Sequence, residues 1–193
     1  MIRFFVSYDI QIIKKQAGAE SARLQTNKSI MFSADKLKRI LLNDIKVELY
    51  EEFDLNFGRK AFFSDKWKPR AFSYPRGSLM AVSNGLRQSI KAEVVPNGVR
   101  FSSAKPYAAA HNEGASITIT PRMQKFFWYK FKTTKKEMWK FLALKRVGST
   151  IELPRRQFVG YGPRTQYLIQ TVINDFCKEF NVSLTDVLKK STF

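Results

Sequence analysis

Apolar and polar positions alternate over residues 2–12. Ile2, Phe4, Val6, Tyr8, Ile10 and Ile12 lie on one side and Arg3, Ser7, Asp9 and Gln11 on the other. A period of two predicts a half-buried strand. Residues 16–26 have no period and read as a loop. From Ser33 the period becomes helical: Leu37, Ile40, Leu41, Ile45, Leu49 and Phe53 share a face, Ser33 is placed to cap, and Gly58 is the expected stop. Residues 59–78 then form a long connection with Pro69, Pro75 and Gly77 that carries Phe62, Phe63, Trp67, Phe72 and Tyr74. A loop of that length is usually functional or ordered against a partner.

The second half is built of shorter pieces. Residues 79–90 suggest a short helix, and 94–101 a hairpin with Asn97-Gly98 in its turn. Pro106 opens a helix through His111 that Gly114 can end. Ile117 and Ile119 alternate in a short strand, and Ile151 and Leu153 in another that stops at Pro154. Between them, Pro121 starts a basic, aromatic stretch of one or two helices ending near Arg146. Tyr167, Leu168, Val172, Ile173, Phe176 and Phe180 mark an amphipathic helix, and a last turn can start at Ser183, with Asp186 three residues on. The expected class is α+β: an antiparallel sheet packed against helices, with a long helix in the N-terminal half, a hairpin and a C-terminal amphipathic helix. The 193 residues suit one domain, with 1–32 as an N-terminal strand and loop and 121–150 as a basic aromatic insertion.

Charge changes this picture most. Thirty-four Lys and Arg against 16 Asp and Glu give a net charge of +18. Such a balance favours a polyanionic partner, whether nucleic acid, membrane surface or acidic protein, and does not choose among them. The excess is local. Residues 35–54 hold six acids against four bases, 59–76 hold six bases and only Asp65, and 122–146 hold nine bases and only Glu137. In 125–132, Lys125, Lys130 and Lys132 interleave with Phe126, Phe127, Trp128, Tyr129 and Phe131. That pattern can contact phosphates and stack on exposed bases. It is equally the pattern of a buried aromatic face with lysines outside, or of a helix lying on a membrane surface.

Candidate chemistry is sparse. One His (His111) and one Cys (Cys177) give no metal-ligand spacing. His111 and Glu113 are two apart and do not share a helix face. No nucleophile elbow or phosphate-binding glycine loop occurs, and no carboxylate cluster stands out for activating water. The sequence therefore supports no catalytic residue, metal or cofactor. A lone cysteine in an apolar helical stripe reads as a buried, inert thiol. No uncharged apolar run reaches the ~18 residues of a spanning helix, and the N-terminus lacks the long apolar run of a secretory signal. The expectation is a protein made and kept in a cytoplasm, without a membrane partner.

Three stretches in order carry a resemblance. The first is Ser83-Asn84-Gly85-Leu86-Arg87-Gln88-Ser89-Ile90, the second Tyr107-Ala108-Ala109-Ala110-His111-Asn112-Glu113-Gly114, and the third Leu153-Pro154-Arg155-Arg156-Gln157-Phe158-Val159-Gly160. Together they are similar to the boxes of the phage virion morphogenesis family of tail-completion proteins, over roughly residues 34–180. In the first box Gly85 and Leu86 are adjacent where the family separates them by one residue; the N-terminal strand and residues 122–146 are extensions. The resemblance implies a structural protein of the virion, made in the host bacterium. Its expected place is the neck or the head-proximal end of the tail. Its expected partners are copies of itself in a ring, commonly a hexamer, other neck, tail and connector proteins, and packaged DNA contacted without sequence preference. In that setting Tyr107, His111, Gly114, Pro154, Arg156, Phe158 and Gly160 are candidates for subunit contacts or for an intrachain strand-to-helix corner. Arg156 would hold a carboxylate or carbonyls in its fork, and Phe158 would fill either a neighbour's pocket or the chain's own core. Lys125, Lys130, Lys132, Lys135, Lys136, Lys140, Lys145 and Arg146 are candidates for the DNA channel or a partner surface. The alternative is a stand-alone basic nucleic-acid-binding protein of phage origin.

Overall fold

Ser33 begins the dominant element. Its hydroxyl accepts from the Lys36 N–H, and helix α1 runs Ala34–Arg59. Leu37, Leu41, Ile45, Leu49, Phe53 and Phe57 are buried along it at steps of four, which keeps one stripe against the core. The helix does not stop at Gly58. It continues to Arg59, and Lys60 takes the left-handed cap at φ 56°, its N–H bonding to the Asn56 carbonyl. The computed structural model describes residues 2–7 (backbone only), 33–72, 77–184 and 187. The strand expected to run to residue 12, the loop at 16–26, Tyr74, Pro75 and Asp186 lie outside or partly outside the described residues.

Strand β1 (Ile2–Ser7) is antiparallel to β5 (Gly98–Ser103), and β5 to β4 (Ile90–Val95), in the order β1-β5-β4. As the central strand, β5 is buried on both faces except at Arg100. Val99 and Phe101 are fully buried, and the Phe101 ring meets Phe53 of α1 edge-on at 4.9 Å. The turn between β4 and β5 is Pro96-Asn97, because Gly98 already pairs with Val95; the hairpin is where the sequence places it, shifted by one residue. The expected α+β class holds, and among the described residues the antiparallel pairing is divided over three small sheets, the others being β2 (Ala61–Phe62) on β3 (Asp65–Lys66), and β6 (Ala115–Thr118) on β7 (Thr150–Leu153).

The 59–78 connection is therefore not structureless. It opens with the β2–β3 hairpin, whose rings Phe62 and Phe63 pack on Phe53. Residues 79–90 are not a helix beyond a 3-10 turn at Arg87–Ser89. Met80 and Asn84 take left-handed φ of 64° and 54°, which a right-handed helix cannot run through, and only Leu86 and Ile90 of the segment are buried. Helix α2 spans Ala108–Glu113, and Gly114 ends it at φ 82°. Helices α3 (Pro121–Thr134) and α4 (Glu137–Ala143) form an antiparallel pair between β6 and β7. Helix α5 (Pro163–Phe180) lays Ile169, Ile173 and Phe176 against α1 and closes the main core. Tyr167, read in the sequence as part of that stripe, is exposed instead.

Candidate functional site

Two arrangements bring the singled-out residues together: a buried corner built from the second and third boxes, and a helical arm between β6 and β7 that holds the basic segment and touches the 59–78 connection through Phe141 on Phe72, 5.4 Å between rings.

At the corner, β7 ends at Leu153 and Pro154 stops further pairing on that strand. The backbone then runs from Arg155 to Gly162 before α5 begins, and every side of it is held. Asn112 of α2 offers its side-chain oxygen to the N–H groups of Phe158 (3.0 Å) and Val159 (3.1 Å). Asn56 of α1 donates to the Phe158 carbonyl (3.2 Å) and accepts from the Phe63 N–H (2.9 Å), tying the β2–β3 hairpin to the same point. Trp67 donates its indole N–H to the Gln157 carbonyl (2.6 Å). Thr165 donates to the Gly160 carbonyl from the first turn of α5 (3.1 Å). Asn56, Asn112 and Thr165 are buried. Buried polar groups are tolerable only when paired in this way.

Arg156 grips carbonyls within its own chain. Its Nε donates to Lys68 O (3.0 Å) and a terminal nitrogen to Pro69 O (3.2 Å), with the side chain buried. Burial, and then the positive charge of Arg70, lower its pKa. Its own backbone N–H donates to the His111 carbonyl (2.7 Å). Phe158 is fully buried in the chain's own core, its ring 5.3 Å from Phe57. Of the two readings kept for Phe158, the geometry is that of the intrachain corner.

Tyr107 sits at the N-cap of α2, exposed, and its ring meets His111 edge-on at 5.9 Å. His111 Nδ1 is buried without a hydrogen-bond partner among the described residues. Burial, and then the charge of Arg156, lower the His111 pKa, so the imidazole is held neutral. A Cβ on Gly114 would come within 3.1 Å of Arg155 N and 3.2 Å of Leu153 O, at a positive φ that disfavours side chains. A Cβ on Gly160 would collide with the Gln157 amide. The sequence reading missed Asn56, Asn112 and Trp67 as corner residues. Asn56 could have been suspected, since it is a polar residue on the buried stripe of a long helix.

The arm is α3 and α4 carried on the β6–β7 ribbon. The two helices join through an aromatic cluster, with Trp139 beside Phe126 (5.9 Å) and Phe127 (6.1 Å). Gln124 fastens the base by donating to Ala143 O and Lys145 O. Of the rings that spacing puts on one face, Phe127 is the one buried residue of α3, Phe131 is half-buried and Trp128 is exposed. Phe126, Trp128, Tyr129, Phe141 and Leu144 are exposed. Several lysines lie over rings: Lys130 on Phe126, Lys140 on Phe131 and Lys145 on Phe141, at 5.4–5.9 Å. Lys125, Lys132, Lys135, Lys136 and Arg146 are exposed, with Lys135 and Lys136 at the bend between the helices.

Among the described residues no group of three His, Cys, Asp or Glu could hold a metal, and no helix is long and apolar enough to cross a membrane. Burial raises the Cys177 thiol's pKa, which keeps it protonated. What the residues define is an α+β structural domain, in which motif residues brace a corner by hydrogen bonds to backbone. The sequence pattern of the phage virion morphogenesis family matches residues 23–177, most of the chain, and the protein belongs to that family. No curated protein and no solved structure matches it significantly.

Proposed function

We propose that the protein is a tail-completion or head–tail joining subunit of a tailed phage, one copy in a ring, commonly hexameric, around the DNA channel of the neck. Family membership over most of the chain supports the reading. The observation that carries it is the use made of the family boxes. Tyr107 to Gly114 and Pro154 to Gly160 are spent on fixing one corner of the fold, with Asn112, Arg156 and His111 bonded to backbone. That is how a subunit keeps its shape under assembly. The arm supplies a surface rich in cations and aromatics for a neighbouring subunit or the channel. Other neck, tail and connector proteins, and packaged DNA touched without sequence preference, are the remaining partners of this reading.

The test is a phage unable to make the protein. Its lysates should accumulate filled heads and tails that are unjoined or irregularly ended, and adding purified protein should restore joining. Normal infectious particles from such a phage would overturn the proposal. A stand-alone nucleic-acid binder would instead leave joining intact and show DNA affinity that falls steeply with salt.

A further inference from the structure

We propose that the α3–α4 arm of one copy docks along the solvent face of α1 in a second copy, so that neighbouring subunits meet head to tail. The inference rests on the ring reading above and assigns its interface. The warrant is the match between two helix faces. On α3, Arg122, Lys125, Tyr129 and Lys132 follow at steps of three and four and are all exposed, with Trp128 beside them. Residues at those steps share a face. On α1, Asp44, Glu48, Glu51 and Leu55 do the same and are also exposed, with exposed Val47 beside them. One stripe is cationic and aromatic, the other acidic and aliphatic. At the α-helical rise each extends roughly 15 Å.

The acidic stripe stands out in a chain of net charge +18: residues 40–58 hold five acids against the single base Lys46. Two of the five are engaged within the chain, Glu52 by Arg59 and Asp54 by Arg87. Asp44, Glu48 and Glu51 have no salt bridge among the described residues. Burial, and then the like charge of Glu179 on α5, raise the Asp44 pKa.

Apolar exposure decides between a protein and DNA as the occupant. Tyr129 is 62% and Trp128 37% exposed on the arm, and Val47 50% and Leu55 49% on α1. A DNA duplex offers phosphates to the lysines and little to half-exposed aromatic rings, whereas a protein interface uses apolar anchors within a charged rim. Charge also narrows the contact. The arm, with nine bases and one acid over 122–146, repels a second arm, and the acidic face of α1 repels its own kind. Arm-on-α1 joins two different patches; passed from copy to copy around an axis, as the ring reading requires, it is a heterologous contact, which makes a ring when the rotation closes.

The test is zero-length carbodiimide cross-linking of particles containing the protein, followed by peptide mapping of the two-chain band. The expected product joins Lys125 or Lys132 to Glu48 or Glu51. Two-chain bands linked only elsewhere would overturn the arm assignment and leave the ring standing. The absence of any multi-chain band would sink the ring reading with it. Arm peptides recovered on DNA after formaldehyde treatment, with none on α1, would give the arm to the duplex. Charge exchange is the second measurement. Glu48→Lys with Glu51→Lys, and separately Lys125→Glu with Lys132→Glu, should each lower particle yield at least about tenfold while leaving the fold's melting unchanged, and combining them should restore most of it. Failure of the combined variant to recover would overturn the proposal.

Discussion

Asn112 holds Phe158 by its backbone: one side-chain oxygen accepts both the Phe158 and the Val159 N–H groups, while the Phe158 ring is fully buried against Phe57. Asn112 and Phe158, 46 residues apart, join two family boxes at that atom, alongside the Arg156 N–H bond to the His111 carbonyl. Replacing Asn112 with Ala strands two buried donors. The expected loss is about 2–4 kcal/mol in urea unfolding. A change within about 0.5 kcal/mol, the range of ordinary surface substitutions, would show that the clamp contributes nothing.

Arg156→Lys keeps the charge and removes the fork. An ammonium cannot reproduce the planar geometry that spans Lys68 O and Pro69 O. The variant should lose about 1–2 kcal/mol, and amide exchange should quicken in residues 67–72 before it does elsewhere. Unchanged protection in that segment would mean that Trp67 alone holds it.

The pH dependence has a definite sign at His111. Its folded pKa lies below the ordinary 6.5, through burial and then the Arg156 charge. The unfolded chain therefore binds the proton more readily. The contribution of neutral His111 is fully present above pH 6.5 and is lost as pH falls through the folded pKa. Urea unfolding at pH 7.5 and 5.5 should show the parent losing more stability on acidification than His111→Gln. Equal losses would remove His111 as the titrating group.

Two glycines should respond in opposite directions. Gly58 lies inside α1 with nothing within 4 Å of an added Cβ. Gly58→Ala should stabilise by about 0.5–1 kcal/mol through helix propensity. Gly114→Ala meets Arg155 N and Leu153 O at φ 82° and should destabilise by about 1–3 kcal/mol. Thermal melting of both variants checks the pair, and a shift of the same sign in both would contradict the backbone argument.

The elements that could be read from sequence are those with a long, clean period. The α1 stripe from Leu37 to Phe53, the β4–β5 hairpin and the C-terminal helix are all found where their apolar spacing puts them. Local rules failed where a long-range contact decides. Gly58 looks like a stop, yet the aromatic contacts of Phe57 with Trp67 and Phe158 carry the helix past it, and Lys60 takes the left-handed turn. The β2–β3 hairpin has two-residue strands, too short for alternation to register. At the corner, Tyr107, His111, Gly114, Pro154, Arg156, Phe158 and Gly160 could be named from the boxes; Asn112 lies within the second box without a role that its position there reveals, and Asn56 and Trp67 lie outside the boxes. Their partners are backbone groups up to 102 residues away, which no spacing rule encodes. That the arm is helical, as one helix or two, was legible from Pro121 and the aromatic run; the exposure of its rings was not, because periodicity gives a face and not what covers it.

Localisation in the particle tests the central claim most directly. Electron cryo-microscopy of virions carrying a tagged copy of this protein should show the tag only at the neck or the head-proximal end of the tail, repeated by rotational symmetry about the tail axis. Mature, infectious virions without the tag, or with it spread over the capsid or the distal tail, would contradict the account.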